Sequence, residues 1–355
     1  MQKGLIWPMR ILHSADLHLD TPFTHRAQAQ YLREQLLLVP DQLARLCRKE
    51  ACDLVLLAGD LFDGPWTRES FLALRNALED CTVPVLISPG NHDYVNLSSP
   101  YTTELWPSNV HIFTQPRIES VLLEELDCRV YGAGYRGMDC PGLLEGFHCR
   151  QDARYQVAVL HADPTQADSP YCPITATQIA ASGLDYLALG HIHKSGEVRC
   201  GKTLCSWPGA PMGRGFDETG IKGAVVVTLT EQVQAQFHPL DTPRFFEEKT
   251  SHPSRVLPAV GSRDFYRITL VGEGTSPSLH ALQKQYRHFP NLELRDHRTE
   301  PSSLWGTVDL DSLEGVYFRT LKDAYDQADV ETGEIIALAA KLSRQILDGQ
   351  EVQLP

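Results

Sequence analysis

DLVLLAGDLFDG, residues 53–64, sets a short greasy run directly in front of two carboxylates. Residues 54–58 offer no polar face, so they read as a strand buried on both sides. A charge at the end of such a strand is costly unless it is paired or bound to a metal, which makes Asp60 the residue to explain. The same arrangement recurs in MRILHSAD (9–16), VPVLISPG (83–90), YQVAVLHAD (155–163) and DYLALGHIH (185–193). Between the strands at 9–16, 53–60 and 83–90, residues 41–49 and 67–79 carry Leu and Ala at helical spacing. Strand and helix in alternation predict an α/β fold with polar residues at the carboxyl ends of its strands, where open α/β sheets place their sites.

Composition sets the bounds. The chain has 355 residues, 42% of them hydrophobic, enough for one large domain and a smaller one, each with its own core. Residues 1–10, MQKGLIWPMR, hold no apolar stretch of signal-peptide length, and no later run reaches the roughly 18 apolar residues of a membrane span. A soluble cytoplasmic protein with no membrane partner is therefore expected. Nine cysteines, scattered and without a C-x-x-C pair, fit reduced thiols rather than a disulfide frame or a zinc knuckle. Cys200 and Cys205 flank a Gly201-Lys202 hairpin turn. A formal net charge of -13 excludes a surface that binds nucleic acid everywhere, but not a local basic track.

The texture changes near residue 197. EVRC-GK-TLCSW, KGAVVVTLTE and QVQAQFHPL read as hairpins of a second, largely antiparallel sheet that closes the first domain, residues 1–240. The proline- and charge-bearing stretch 241–255 reads as a linker. Within residues 256–312, DFYRITLVG (264–272), a helix over 279–288 and NLELRDH (291–297) make a small βαβ-like unit. Residues 313–355 form a helical tail in which Ile335, Ile336, Ala339, Leu342 and Ile346 make an apolar stripe. Such a stripe usually packs on its own domain; docking of a partner is the sharper reading.

The strand ends supply the candidate chemistry: Asp16 and His18; Asp60 and Asp63; Asn91, His92 and Asp93; His161; His191 and His193. Singly, each is what a turn or a helix cap would also use. Their succession behind buried strands is not explained by turns. A di-metal centre needs hard oxygen and borderline nitrogen ligands and a carboxylate bridging cations about 3.5 to 4 Å apart, and Asp60 suits the bridge. In LALGHIHKSG, residues 187–196, extended backbone would turn His191 and His193 to one side, about 6 to 7 Å apart. That spacing does not say whether they meet one ion or two. Asp93 reads as structural, capping the next turn.

Taken in order, D-x-H, GD-x-x-D, GNHD, H and GH-x-H resemble the calcineurin-like metallophosphoesterase superfamily, with every block present between Asp16 and His193. The resemblance implies a four-layer α/β/β/α sandwich and two divalent metal ions. Asp16, His18, Asp60 and His193 would hold one ion; Asp60, Asn91, His161 and His191 would hold the other. Manganese is implied for the nuclease branch, with iron, zinc or magnesium open. His92 would face the scissile phosphate and assist the leaving oxygen, oriented by Asp63.

After GH-x-H, the block WPGAPMGRGFDETGIKGAVVV (207–227), together with YGAGYRG (131–137) and PLDTPRFF (239–246), resembles the bacterial SbcD and YhaO-type DNA-repair nucleases, relatives of the Mre nuclease. Ala210 stands where that group usually has serine. The implied function is a two-metal DNA nuclease of DNA repair, exonuclease or endonuclease, that cuts phosphodiester bonds with metal-activated hydroxide. The resemblance also implies a small α/β capping domain at 256–312, a helical region at 313–355 that docks an SMC-like coiled-coil ATPase, and a homodimer. Tyr94, Arg136 and Arg214, in or just after motif loops, are candidate contacts to the DNA backbone.

Other readings compete. A phosphodiesterase for small substrates such as cyclic nucleotides shares the motif blocks, although the chain length and the block after GHIH weigh against it. A Ser/Thr phosphatase is opposed by GPW after GD-x-x-D and by GNHD where that group has GNHE. A non-catalytic scaffold with a structural metal site is opposed by the retention of His92 beside the whole ligand set.

Overall fold

The computed structural model describes residues 8–24, 28–272, 277–298, 305, 312–347 and 349. Residues 1–7 of the opening, 273–276, 299–304 and 306–311 of the expected cap, and 348 and 350–355 of the tail lie outside them. The chain divides into two units, Met1–Phe246 with Arg263–Phe265 and Glu247–Ser262 with Tyr266–Pro355.

In chain order the first unit carries β1 (Met9–Ser14), α1 (Ala29–Leu37), α2 (Val39–Lys49), β2 (Leu54–Leu57), α3 (Arg68–Asp80), β3 (Val85–Ile87), α4 (Pro100–Thr103) and β4 (Val110–Ile112). There follow β5 (Glu119–Leu123), β6 (Cys128–Gly132), β7 (Tyr155–His161), α5 (Ala176–Ala181), β8 (Tyr186–Gly190), β9 (Gly196–Cys200), β10 (Thr203–Trp207), β11 (Gly223–Leu229) and β12 (Val233–Pro239). Two six-stranded sheets result, ordered β12-β11-β1-β2-β3-β4 and β5-β6-β7-β8-β10-β9. Strands β1 to β4 pair in parallel, as do β6, β7, β8 and β10.

Alternation along the strands sorts the core. Ile11, Leu54, Leu56 and Leu86 of the first sheet share a buried cluster with Val130, Val157, Val159, Tyr186 and Ala188 of the second. Their neighbours Leu12, Val55, Leu57, Val85 and Ile87 pack instead with Leu32, Leu43, Phe71 and Leu74 of the helices. On the far side, Ala158, Leu160, Leu187 and Leu189 pack with Ile179 of α5. The layers are therefore helix, sheet, sheet, helix: the α/β/β/α sandwich that the resemblance implied. LVLL in β2 needs no polar face because both of its sides are covered. Thr67 closes a reciprocal capping box with Ser70, which starts the predicted helix at Arg68.

The hairpins after residue 197 do not make a sheet of their own. The β9–β10 pair extends the second sheet, and β11 pairs antiparallel with β1 to extend the first. The sequence of β11 demands this: Val225, Val227 and Leu229 enter the core between the sheets while Ala224 and Val226 join the helix-side core, so the strand has two faces to bury. Cys200 and Thr203 pair across the expected Gly201-Lys202 turn. All nine cysteines are free and buried. Among the described residues, no helix is long and apolar enough to cross a membrane.

The second unit holds all but the first residues of β13 (Phe245–Thr250) and β14 (Phe265–Leu270), together with α6 (Leu279–Gln285) and β15 (Leu292–Asp296); its three-stranded sheet is ordered β13-β14-β15. β14 and β15 are parallel, the βαβ arrangement expected, over a small core of Ile268, Leu270, Leu282 and Tyr286. The stretch 241–255 is not a free linker, since β13 lies within it. Its charged Glu247, Glu248 and Lys249 are exposed, as an edge strand permits. The tail is helical, α7 (Leu313–Gln327) and α8 (Val330–Leu347). Its apolar stripe is only partly packed: Ile336, Ala339 and Leu342 are half-buried, whereas Ile335 and Ile346 stand exposed, the latter beside Leu313 and Leu347 in a cavity of about 560 Å³.

One polar cluster sits inside the core between the sheets. His13 Nε2–H donates to Leu189 O at 3.1 Å, which leaves Nδ1 to accept from the Tyr186 hydroxyl at 2.7 Å; that hydroxyl lies 2.6 Å from Ser206 Oγ. Burial keeps the imidazole neutral, lowering its pKa to about 3. Tyr186→Phe leaves His13 Nδ1 buried without a partner, and is expected to cost about 1–3 kcal/mol in urea unfolding with an unchanged m-value. A loss under about 0.5 kcal/mol would show that the cluster does not tie the sheets together.

Candidate metal centre

Each predicted ligand lies at or just beyond the carboxyl end of a strand: Asp16 and His18 after β1, Asp60 after β2, Asn91 after β3, His161 ending β7, His191 and His193 after β8. Four of them have left-handed backbone, with φ of 53° at Asp16, 47° at His18, 51° at Asp60 and 89° at His191. Residues with a Cβ rarely adopt it, at a cost of about 1–3 kcal/mol each. The loops hold one another in this state. Asp16 N donates to Gly59 O and His18 N to Asp60 O, both at 2.9 Å.

Asp93 ties in the third loop, accepting from Gly90 N at 2.7 Å, Leu61 N at 2.6 Å and the Tyr101 hydroxyl at 2.6 Å. The sequence reading has it capping the next turn. Instead it joins two loops, because β2 and β3 are parallel neighbours whose exits abut. Gly90 lies so close that a Cβ there would strike Asp60 Oδ1.

The donors gather in two groups with Asp60 between them. In one, His18 Nε2 and His193 Nε2 are 3.2 Å apart, and Asp16 Oδ1 lies 3.9 Å from His193 Nε2. In the other, His161 Nε2 is 2.9 Å from Asn91 Oδ1, and the His161 and His191 rings stand edge-on with centroids 5.3 Å apart. Asp60 Oδ2 is 3.8 Å from His18 Nε2 and 3.3 Å from His161 Nε2. His191 and His193 thus part company. The strand stops at Gly190 and His191 turns left-handed, so the alternation expected of extended backbone does not reach them. His92 stands at the edge of this cluster, 44% exposed, with Nδ1 2.9 Å from Asp63 Oδ1 and its ring 4.8 Å from that of His18.

Asp16, His18, Asp60 and His161 are almost wholly buried, and two carboxylates so placed require positive charge. Burial would raise the Asp60 carboxyl, but His161, His18 and His92 outweigh it and hold it below the usual range. Burial would lower His161, yet Asp60 and Asp16 raise it to about 9, so an imidazolium supplies charge that a cation would bring. The imidazoles of His18 and His92 hold Asp63 low, and the hydrogen bond that His92 donates to Asp63 raises His92. Burial, then His161, lowers His191. His18 Nδ1 is buried without a hydrogen-bond partner. Two facing ring nitrogens at 3.2 Å repel unless a proton or a cation lies between them. Carboxylate, amide oxygen and imidazole together suit divalent transition metals, so the residues present fit the implied ions.

Residues that no motif singled out complete the surroundings. Glu218 Oε1 is 2.8 Å from His193 Nδ1, Asp163 Oδ2 is 3.8 Å from His191 Nε2, and the Tyr171 ring lies 4.8 Å from that of His191. Asp163 follows His161 at the exit of β7, which was a usable signal; nothing local marks Glu218. Arg214, expected at the DNA, is turned inward: Nη2 is 2.7 Å from Glu218 Oε1 and Nη1 is 3.8 Å from Asp63 Oδ2. These carboxylates take up its charge. Arg136 is exposed, and Tyr94 is half-buried against the core outside the second sheet.

A family model described as calcineurin-like phosphoesterase matches residues 9–195. The chain is 32% identical over 244 residues to the "uncharacterized metallophosphoesterase YhaO" of Bacillus subtilis (strain 168), covering 64% of this chain and 59% of that protein. It is 25% identical over 264 residues to a protein of the same strain named as a subunit of the nuclease SbcCD, covering 62% of this chain and 66% of that protein. The chain thus spans only part of the length of these relatives. Among solved structures, that of TT1561 of Thermus thermophilus is similar at 12% identity and a TM-score of 0.38, covering 65% of this chain and 99% of that one.

Asp60→Asn is expected to lose bound divalent metal in elemental analysis after gel filtration while its far-UV spectrum stays that of the wild type. Full metal content in that variant would remove Asp60 from the centre.

Proposed function

Because the chain belongs to the calcineurin-like phosphoesterase family, we propose that it is a two-metal DNA nuclease of DNA repair, acting on phosphodiester bonds as an exonuclease or endonuclease. Metal-dependent phosphoester hydrolysis on a dinuclear site is what membership itself carries. The observation that carries the catalytic reading is His92, half-exposed beside the ligand cluster and anchored at Nδ1 by Asp63. Its hydrogen bond fixes the ring so that the opposite edge is available to the leaving oxygen. Ions held by Asp16, His18, Asp60, Asn91, His161, His191 and His193 would supply charge neutralisation on the phosphate oxygens and a Lewis acid for water. Manganese is the proposed metal.

DNA as the substrate is supported by the likeness to a protein named as part of a nuclease. Exposed Arg136 and half-buried Tyr94 are the proposed contacts to its backbone. Arg214 is given up for that role because its guanidinium is committed to Glu218. The second unit is proposed as the cap that orients DNA. Its α7–α8 pair is proposed to dock an SMC-like ATPase, a reading supported by a relative that is named as one component of an assembly and by the exposed Leu313, Ile346 and Leu347. A chain ending at residue 312 should then fail to co-purify with the purified ATPase that the full chain retains; equal retention would refute the docking.

The function is tested by offering single- and double-stranded DNA, bis-p-nitrophenyl phosphate and cyclic nucleotides to the wild type and to His92→Ala, with manganese present or chelated. Manganese-dependent DNA cleavage is expected, falling about 100-fold or more in the variant, which should still bind two metal equivalents. Turnover confined to the small esters would replace the nuclease with a small-substrate phosphodiesterase. Unchanged turnover in the variant would remove His92 from the chemistry.

A further inference from the structure

The block 207–227 contributes no candidate ligand, yet it wraps one. Ala210 N and Lys222 Nζ both donate to His193 O at 3.2 Å, and Glu218 Oε1 meets the ring of the same residue at Nδ1. We propose that Glu218 is a positioning residue that selects the metal-competent tautomer of His193, while Arg214 holds Glu218 in place and competes for the same ring nitrogen. The proposal rests on His193 being a metal ligand, as the family reading has it.

A neutral imidazole carries one N–H, and its other nitrogen is an acceptor. The Glu218 carboxylate, 2.8 Å from Nδ1, can only accept, so it requires hydrogen on Nδ1. That leaves the Nε2 lone pair on the side of His18 and Asp16, where a cation would be bound. Arg214 Nη2 lies 3.0 Å from the same Nδ1 and can only donate. It requires the opposite tautomer, with hydrogen on Nε2, in which the nitrogen facing the site cannot take a metal. Two such demands cannot both be met. Arg214 has other acceptors, since its Nη2 and backbone N reach Glu218 Oε1 and Oε2 at 2.7 and 2.9 Å. Glu218 therefore decides the tautomer as long as it is present. Once it is gone, the nearest partner of Nδ1 is the guanidinium. Loss of Glu218 then does more than loosen the ring: it hands the ring to a donor that selects the wrong form.

The test titrates metal-free wild type, E218A, E218Q, R214A and the double variant E218A/R214A with Mn²⁺ by calorimetry. It also reads the His193 ring nitrogens of the metal-free proteins by ¹⁵N NMR. E218A is expected to weaken one of two Mn²⁺ equivalents by about 10–100-fold, with the other nearly unchanged, and to move the His193 hydrogen from Nδ1 to Nε2. E218Q, whose amide oxygen can still accept, should fall between, and it carries the test if E218A does not fold. The double variant should bind more tightly than E218A because the competing donor is gone. A merely structural Glu218 would lower the melting temperature and leave both the tautomer and the ratio of the two affinities unmoved, which overturns the proposal. A double variant weaker than the wild type by the sum of the single losses, and so weaker than E218A, overturns the competition. H193A separates the premise: if it binds both equivalents like the wild type, His193 is no ligand, whatever E218A does.

Discussion

Asp60 carries the constraint on which the rest of the first unit depends. It is 2% exposed and lies between the imidazoles of His18 and His161. A carboxylate in that position without compensating charge costs roughly several kcal/mol, so the chain must bring imidazole or metal to both of its flanks. The local backbone follows from this need. Asp60 Oδ1 accepts from His92 N at 2.9 Å, Asp93 binds the amide of Leu61, and Gly90 leaves the space that a side chain would occupy. Left-handed residues in three loops persist because the hydrogen bonds of one loop end on the next, so none can relax alone.

Two packed sheets make this geometry attainable. The first sheet brings the exits of β1, β2 and β3 side by side, and the second brings those of β7 and β8. A single open sheet would present its donors along one edge; two sheets face to face bring both His18 and His161 to one carboxylate. The His13–Tyr186–Ser206 cluster links the sheets inside the core, three residues before Asp16 on one side and at β8 on the other. The register between the sheets is thereby coupled to the spacing of the donors.

Much of the site was legible because its chemistry needs costly residue types at the ends of greasy strands. Asp60 after LVLLA and His161 after QVAVL stand out on composition alone. The parting of His191 and His193 was implied by the motif resemblance but not by their spacing, because period-2 reasoning fails where the strand stops and a left-handed residue follows. The joining of β11 to the first sheet could have been inferred from its two apolar faces, whereas the edge it joins depends on which strand is free. Glu218 was invisible, since its partner His193 is 25 residues away in sequence and the contact exists only after the block has wrapped around. Arg214 shows the converse error. A cation beside a motif is as readily the partner of a buried carboxylate as of a substrate, and only the distances to Glu218 and Asp63 separate the two.

The sharing of Asp60 by two cations is the central claim, and crystals soaked in manganese and measured at the manganese absorption edge test it most directly. Two anomalous peaks are predicted about 3.5–4 Å apart on either side of Asp60, one beside His18 and His193 and the other beside His161 and His191. A single peak, or peaks remote from Asp60, would contradict it.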